Sequence, residues 1–177
     1  RALLRSTGFS LPVEATLAYR AVGTEDPAAR LLQEMLETAG FRVTLRPVPW
    51  DQIQAELRDG RLSLFFGGWV FDGPDAGGFL RDCFRSRGPD GLTGFFNPGY
   101  SHPEIDRLVD ASYGAFFRTS RLLILEETMR IANEDAPLVP LFHRPDAWAV
   151  APGLLWEPRP DGKVLAAEMR PAGAPGS

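Results

Sequence analysis

The stretch of sequence that decides the fold is Leu62-Ser63-Leu64-Phe65-Phe66-Gly67-Gly68-Trp69-Val70-Phe71-Asp72. Its first half, 62–66, is a nearly continuous apolar run, which is typical of a strand buried on both faces of a sheet. Gly67 and Gly68 end this run. They are followed by Trp69, Val70 and Phe71, and then by Asp72. In open α/β sheets, ligands bind beyond the carboxyl ends of the strands, near a topological switch point. We therefore expect residues 67–72 to form one wall of a cleft for a small solute.

Two strand–helix units precede this stretch. Residues 14–20 and 41–45 alternate between apolar and polar side chains, and both segments predict strands. A helix is expected to begin at Asp26, and a shorter one begins at Asp51 and ends at Gly60. The apolar stripe of the first helix is expected to contain Leu31, Leu32, Met35, Leu36 and Ala39. The order strand–helix–strand–helix–strand with short links favours a parallel sheet, so the predicted fold class is α/β.

The second half of the chain is predicted to be more helical. In this half, Asp75 is a candidate cap for a short helix. At the start of the chain, residues 2–7 also have the pattern of the last turns of a helix. A Gly/Pro-rich loop is expected over 85–100. The segment 101–104, Ser-His-Pro-Glu, has the pattern of a capping box, and a longer helix is predicted over 119–135.

Two more strands and a tail complete the predicted organisation. The apolar patterns of 138–142 and 147–150 predict the strands. Residues 171–177, Pro-Ala-Gly-Ala-Pro-Gly-Ser, are too small and flexible to pack, so we expect a flexible tail there. The remaining residues, 1–170, are expected to form one lobe.

Composition excludes several function classes. The 177 residues include 19 Lys and Arg against 23 Asp and Glu, for a net charge of -4. The basic residues are not clustered, so we expect no nucleic-acid partner for this domain. The single cysteine, Cys83, permits no internal disulfide and is interpreted as a small buried apolar residue.

No residue pattern in the sequence indicates catalysis, a metal or a cofactor. His102 and Glu104 are too few to hold zinc, which normally has three or four protein ligands, and they lie in a helix cap. Cys83 and His143 would form a nucleophile–base pair only if the fold joined them. Gly67-Gly68 is too short to cradle a phosphate. The sequence therefore predicts a binding protein with no catalytic residue, metal site or cofactor.

Three side chains are candidates for ligand contact. Trp50 and Trp69 follow the second and third predicted strands, so both are expected to border the same crevice, where aromatic side chains supply much apolar contact area. Asp72 stands between Phe71 and Gly73 and has no capping role in the sequence pattern. A carboxylate beside aromatic rings can pair with an ammonium group in a partly desolvated site.

Four segments resemble, in order, the family 5 extracellular solute-binding proteins, the dipeptide- and oligopeptide-binding components of ABC importers. The run 64–75 is similar to the family's G-W-x-A-D-Y-P-D-P, and 93–106 to its N-x-x-G-Y-S-N-P-E-V-D segment. The run 131–141 resembles its I-L-x-E-D-A-P-x-I-P-L-Y segment, and 2–9 resembles the start of this region. The resemblance covers about residues 1–156.

The resemblance implies a periplasmic-binding-protein-like lobe with a mixed, mainly parallel sheet flanked by helices. Residues 1–170 would be a C-terminal ligand-binding lobe, incomplete at its N-terminal side. Its partners would be the missing N-terminal lobe of the same protein, an ABC-transporter membrane permease, and a peptide or other small-molecule ligand bound by closure of the two lobes. The implied location is periplasmic, or extracellular and anchored to a membrane. Alone, this lobe is expected to bind ligand weakly.

The resemblance also implies site residues. Asp72 would hold the amino terminus of a peptide, and the backbone around Val70 and Phe71 would hydrogen-bond an extended peptide. The complete predicted set is Trp50, Phe66, Gly68, Trp69, Val70, Phe71 and Asp72. Phe66 stands where some oligopeptide binders have a basic residue, and Gly73 replaces an aromatic. Relatives also carry nickel chelates, sugars and haem-like ligands, so the ligand class stays open.

Two alternatives remain open at the level of sequence. Some transcriptional regulators resemble a DNA-binding domain fused to such a lobe pair, and this chain would then be a cytoplasmic solute sensor. A hydrolase that uses Cys83 is the other alternative, and turnover abolished by Cys83→Ser would support it.

Overall fold

The computed structural model describes residues 2–20, 26–71, 73–89 and 91–173. The helices are α1 (Ala2–Ser6), α2 (Asp26–Ala39), α3 (Trp50–Arg58), α4 (Gly77–Cys83), α5 (Pro103–Gly114) and α6 (Arg118–Asp135). The strands are β1 (Val13–Arg20), β2 (Phe41–Val48), β3 (Leu64–Phe66), β4 (Leu154–Leu155) and β5 (Arg170–Pro171). Among these residues, no helix combines the length and apolar character that a membrane crossing requires.

Three parallel strands form the main sheet in the order β2-β1-β3. Leu17 of β1 lies opposite Leu45 on one side and Leu64 on the other. The chain therefore leaves the central strand towards one edge and returns to the opposite edge, and this reversal is a topological switch point beside β1. With the antiparallel β4–β5 pair, the sheets are mixed and mainly parallel, as predicted.

Helices cover both faces of the main sheet. On one face, Ile53 and Leu57 of α3 are buried against Ala18 and Val48. On the other face, α2 packs mainly against β2 and β1 and buries Ala29 completely. The alternation of β1 explains this arrangement, because successive side chains point to opposite faces of a strand.

Two details of the sheet half differ from the sequence prediction. The strand predicted over 62–66 begins only at Leu64, and its residues are half-buried instead of buried on both faces. The reason is that α2 lies over β2 and β1, so it leaves the outer part of β3 uncovered. In α2, Leu31 and Met35 of the predicted apolar stripe are exposed, because the buried side of the helix runs through Ala29.

The second core is helical. Side chains of α4, α5 and α6 form it, namely Leu80, Phe84, Ile105, Val109, Leu125 and Ala132. The predicted capping box at 101–104 is wrong in its cap residue. Pro103 occupies the start of α5, so the cap is His102, whose Nδ1 accepts a hydrogen bond from the Ile105 N–H at 3.3 Å. Proline suits this position because the first helical N–H has no partner within the helix.

The strands predicted over 138–142 and 147–150 are absent, and both segments are exposed non-regular chain. Their apolar side chains include Val139 and Phe142, neither of which is buried. No neighbouring strand among the described residues offers them hydrogen bonds, and an unpaired strand is not stable in water. Further along, Pro171 at the start of the predicted tail lies in β5, and Ala172 donates a hydrogen bond to the Gly153 carbonyl at 2.8 Å.

Candidate functional site

The carboxyl ends of β1, β2 and β3 meet at one edge of the main sheet. In the register of the strands, Tyr19 is paired with both Pro47 and Phe66, the last or next-to-last residues of their strands. Trp50 therefore emerges at this edge as the first residue of α3, and 67–71 leave β3 at the same edge. The predicted wall residues lie beside the topological switch point, where α/β sheets bind ligands.

One phenylalanine joins the two tryptophans. The ring of Phe96 lies 5.6 Å from Trp50 and 5.3 Å from Trp69 between ring centroids, and it meets Trp69 edge-on at 89°. Edge-to-face contact at this distance is a favourable geometry for aromatic pairs. The structure thus brings Trp50 and Trp69 into one aromatic cluster.

A second phenylalanine connects this cluster to the helical core. Phe79 of α4 lies 5.9 Å from Trp69 and 5.3 Å from Phe71, and it also contacts the buried Phe84 at 5.3 Å. We call Trp50, Phe96, Trp69, Phe79 and Phe71 the aromatic wall. It runs from the core beneath the sheet to the core between α4, α5 and α6, so both cores hold it in place.

The wall keeps apolar surface open to solvent. Val70 is 69% exposed and Phe71 is 50% exposed, whereas Trp69 is half-buried. No heavy atom outside its own neighbours lies within 4 Å of a side-chain position built on Gly68, so the backbone there is open to a ligand. Phe66 is half-buried at the end of β3. The predicted Asp72 lies outside the described residues.

The loop that carries Phe96 is held by a buried asparagine. The side-chain amide of Asn97 donates to the carbonyls of Arg85 at 2.9 Å and Tyr100 at 2.8 Å, and its Oδ1 accepts from the Gly99 N–H at 2.9 Å. Sequence reasoning treated 85–100 as a plain Gly/Pro-rich loop and missed both residues. The adjacent Phe95 and Phe96 were the available signal, because paired phenylalanines in a loop indicate burial against a core.

One acidic group near the wall, Asp75, is already paired. Asp75 accepts two hydrogen bonds from the Arg121 guanidinium, at 2.7 and 3.1 Å, and one from the Gly77 N–H at 2.9 Å. The Arg121 contact holds the pKa of Asp75 below its ordinary value. Helix α4 begins at Gly77, so Asp75 caps it from one position further out than the sequence pattern predicts. Its role is structural, because Arg121 ties α4 to α6.

The described residues do not form the nucleophile or metal arrangements considered from sequence. Cys83 is largely buried beside the helical core, and burial raises the pKa of its thiol to about 12. A thiol with so high a pKa carries almost no thiolate at neutral pH and is a poor nucleophile. His102 is engaged as the cap of α5. Within the described ranges, no group of three or more His, Cys, Asp or Glu side chains is placed to hold a metal ion.

Comparison with protein families gives a match over about half of the chain. Residues 1–91 match the family described as bacterial extracellular solute-binding proteins, family 5 Middle. This span contains the whole main sheet and most of the aromatic wall.

Individual relatives agree with the family match. The chain is 28% identical over 122 residues to a Pseudomonas aeruginosa protein described as "Probable di/tripeptide-binding protein 5", covering 69% of this chain and 23% of that protein. It is 27% identical over 148 residues to an Escherichia coli protein described as "Probable deoxycholate-binding periplasmic protein YgiS", covering 82% and 26%. This chain therefore spans about a quarter of the length of these relatives.

A solved structure confirms the fold class. The Helicobacter pylori periplasmic binding protein DppA, solved in complex with the peptide STSA, superposes with a TM-score of 0.69. The identity is 21%, and the match covers 79% of this chain and 27% of the other. At that identity the likeness concerns the fold, which is that of a periplasmic binding protein lobe.

Proposed function

We propose that this chain, which belongs to the family 5 bacterial extracellular solute-binding proteins, forms part of the C-terminal ligand-binding lobe of an ABC importer's substrate-binding protein. The lobe spans residues 1–170, and a second lobe outside these residues closes over the ligand. The ligand is a small solute such as a peptide. Capture is by hinge closure, with no covalent chemistry.

The observation that carries this proposal is the position of the aromatic wall. Trp50, Trp69 and Phe71 lie at the carboxyl edge of the sheet, beside its switch point, and part of their surface is open. Half of a cleft with this composition fits an apolar part of a ligand. The "di/tripeptide-binding" description of one relative and the bound peptide STSA of another structure support a peptide as the ligand class.

The same observations favour binding over catalysis. The buried thiol of Cys83 does not suit a nucleophile, which argues against the hydrolase alternative. The curated relatives described above are binding proteins, so no observation favours the regulator alternative. We place the protein in the periplasm, or outside the cell and anchored to a membrane, with a permease as its partner.

Asp72 provides the test. In the full-length protein, Asp72→Asn is expected to weaken binding of an unmodified tripeptide by about 2–3 kcal/mol, roughly 30- to 150-fold in Kd, since a charge-assisted hydrogen bond in a desolvated site is lost. The measurement is isothermal titration calorimetry with Ala-Ala-Ala and with its N-acetylated form, which lacks the ammonium group.

Asp59→Asn is the matched control. Asp59 follows α3, pairs with the exposed Arg61, and lies at the far end of that helix from Trp50. This variant is expected to bind as the wild type does. If Asp72→Asn and the wild type bind Ala-Ala-Ala equally well, Asp72 is not the ammonium partner. Turnover of the peptide by the wild-type protein would contradict the binding function.

A further inference from the structure

We infer that Phe96 is a positioning residue of the proposed site: it fixes Trp50 and Trp69 as one surface, and that surface selects ligands that carry an aromatic ring. The inference rests on the proposed function, and it adds both a residue and a ligand class. Its basis is the geometry of the loop that carries Phe96 and the composition of the aromatic wall.

The backbone holds Phe96 in a defined place. Its N–H donates to the Asp82 carbonyl at 2.8 Å, which ties the loop to the last turn of α4. The next residue, Asn97, is 1% exposed and is hydrogen-bonded through both ends of its amide. Gly94 adopts a φ of +64°, and a side chain there would meet the backbone of Arg87 at 2.7 Å. The loop therefore has little freedom to move Phe96 away from the tryptophans.

Phe96 occupies the space between two tryptophans that come from different elements. Trp50 begins α3, whereas Trp69 lies in the chain after β3. Among the described residues, the ring of Phe96 is the aromatic contact that joins the two indoles. Without this ring, Trp69 keeps its contact with Phe79 but loses support on the side of the sheet core. Both indoles would then be free to adopt other rotamers, and the aromatic wall would no longer be continuous.

The wall has a definite chemistry. The ring neighbours of Trp69 are Phe96 on one side and Phe79 on the other, and the adjacent Val70 is apolar and exposed. Such a surface offers a ligand edge-to-face and offset contacts, which aromatic groups use best. A methyl group buries much less area against the same surface. The expected ligand therefore carries a Phe-, Tyr- or Trp-like ring where it meets this lobe.

Positioning is tested by spectroscopy on this chain. Trp148 and Trp156 lie against each other at 5.2 Å, and replacing both by Phe leaves the signals of Trp50 and Trp69. In that background, Phe96→Ala is expected to shift the tryptophan emission to longer wavelength and to reduce the near-ultraviolet circular dichroism. Phe96→Tyr keeps the ring and should restore both signals.

Phe116→Ala is the matched control for the spectra. Phe116 is 92% exposed, and its ring contacts that of Phe117, which is not part of the aromatic wall. This variant should leave the tryptophan signals near those of the parent. If Phe96→Ala unfolds the chain, Phe96→Leu, which keeps apolar volume without the ring, is measured in its place. A folded Phe96→Ala or Phe96→Leu variant whose spectra equal those of the parent would overturn the positioning role.

Selectivity is tested in the full-length protein with two probes, Phe-Ala-Ala and Ala-Ala-Ala. The wild type is expected to bind Phe-Ala-Ala roughly tenfold to a hundredfold more tightly, as burial of a phenyl group predicts. Phe96→Ala should lose most of this preference, whereas Phe116→Ala and Phe96→Tyr should keep it. Equal binding of both probes by the wild type overturns the ligand class but leaves the proposed function intact. Binding of neither probe overturns both.

Discussion

The apolar patterns of two segments of this chain predict strands, but only one of the two segments forms a strand. Residues 41–48 form β2, where Val43 and Val48 are buried. Residues 138–142, Leu-Val-Pro-Leu-Phe, are also apolar, yet Val139 is 68% exposed and the segment forms no strand. The difference is the neighbour: β2 lies beside β1 along eight residue pairs, whereas no described strand flanks 138–142. An apolar pattern therefore shows that a segment is suited to a strand, but the strand forms only where a partner strand is present.

The exposed segment fits the proposed two-lobe protein. Apolar side chains at 138–142 and 147–150 remain uncovered, and the chain spans about a quarter of the relatives' length.

The largest expected effect compares two leucines. Leu17 of β1 is buried, and Leu17→Ala is expected to lower the free energy of unfolding of this chain by about 2–5 kcal/mol, since it removes core contacts and leaves a cavity. Leu141→Ala, in the exposed segment, is expected to change it by less than about 0.5 kcal/mol. Urea unfolding followed by circular dichroism measures both. Equal losses for the two variants would show that 138–142 is packed in solution, contrary to the comparison.

The parts of the fold that could be predicted from the sequence are those that a local pattern marks. The order of β1, α2, β2, α3 and β3 was predicted because each element shows its period or its cap locally. The edge at which Trp50 and Trp69 emerge followed from the parallel topology. Phe96 was missed, because its contacts join residues far apart along the chain and no local period marks them. The face of α2 that is buried was also predicted only in part, since Leu31 and Met35 share the helical period but have no described neighbour to cover them.

A smaller loss in the free energy of unfolding is expected when Asn97 is replaced. Asn97 holds a segment that has no regular secondary structure. The loop around Asn97 and the segment 138–142 both lack helix and strand, but only the loop has a buried hydrogen-bonded side chain. Asn97→Ala leaves the Arg85 and Tyr100 carbonyls without this donor and should lower stability by about 1–3 kcal/mol.

Asn133 provides the control for Asn97, because it is exposed on α6. Asn133→Ala is expected to be neutral or slightly stabilising, since alanine has the higher helix propensity. Urea unfolding curves of the two variants are compared directly. A neutral Asn97→Ala would indicate that backbone hydrogen bonds alone hold the loop.

The smallest expected effect concerns two carboxylates whose pKa is about 2. Glu56 has this value because the Arg46 guanidinium and the Gln52 amide hydrogen-bond to it, and Asp161 because Arg159 and the Lys163 N–H do so. A folded-state pKa below the ordinary value, which is 4.5 for Glu56 and 3.8 for Asp161, stabilises the fold above that pH, and the contribution disappears as the pH falls towards 2. Arg46 and Glu56 meet only when α3 packs on β2, so the contribution of Glu56 depends on folding. Arg159 and Asp161 are two residues apart and can pair in the unfolded chain as well, which cancels much of the effect.

Thermal midpoints between pH 5 and pH 2 should therefore depend less on pH in Glu56→Gln than in the wild type, whereas Asp161→Asn should keep the wild-type slope. If Asp161→Asn lowers the pH dependence and Glu56→Gln does not, the ion pair that depends on folding is the one between Arg159 and Asp161 and not the one between Arg46 and Glu56.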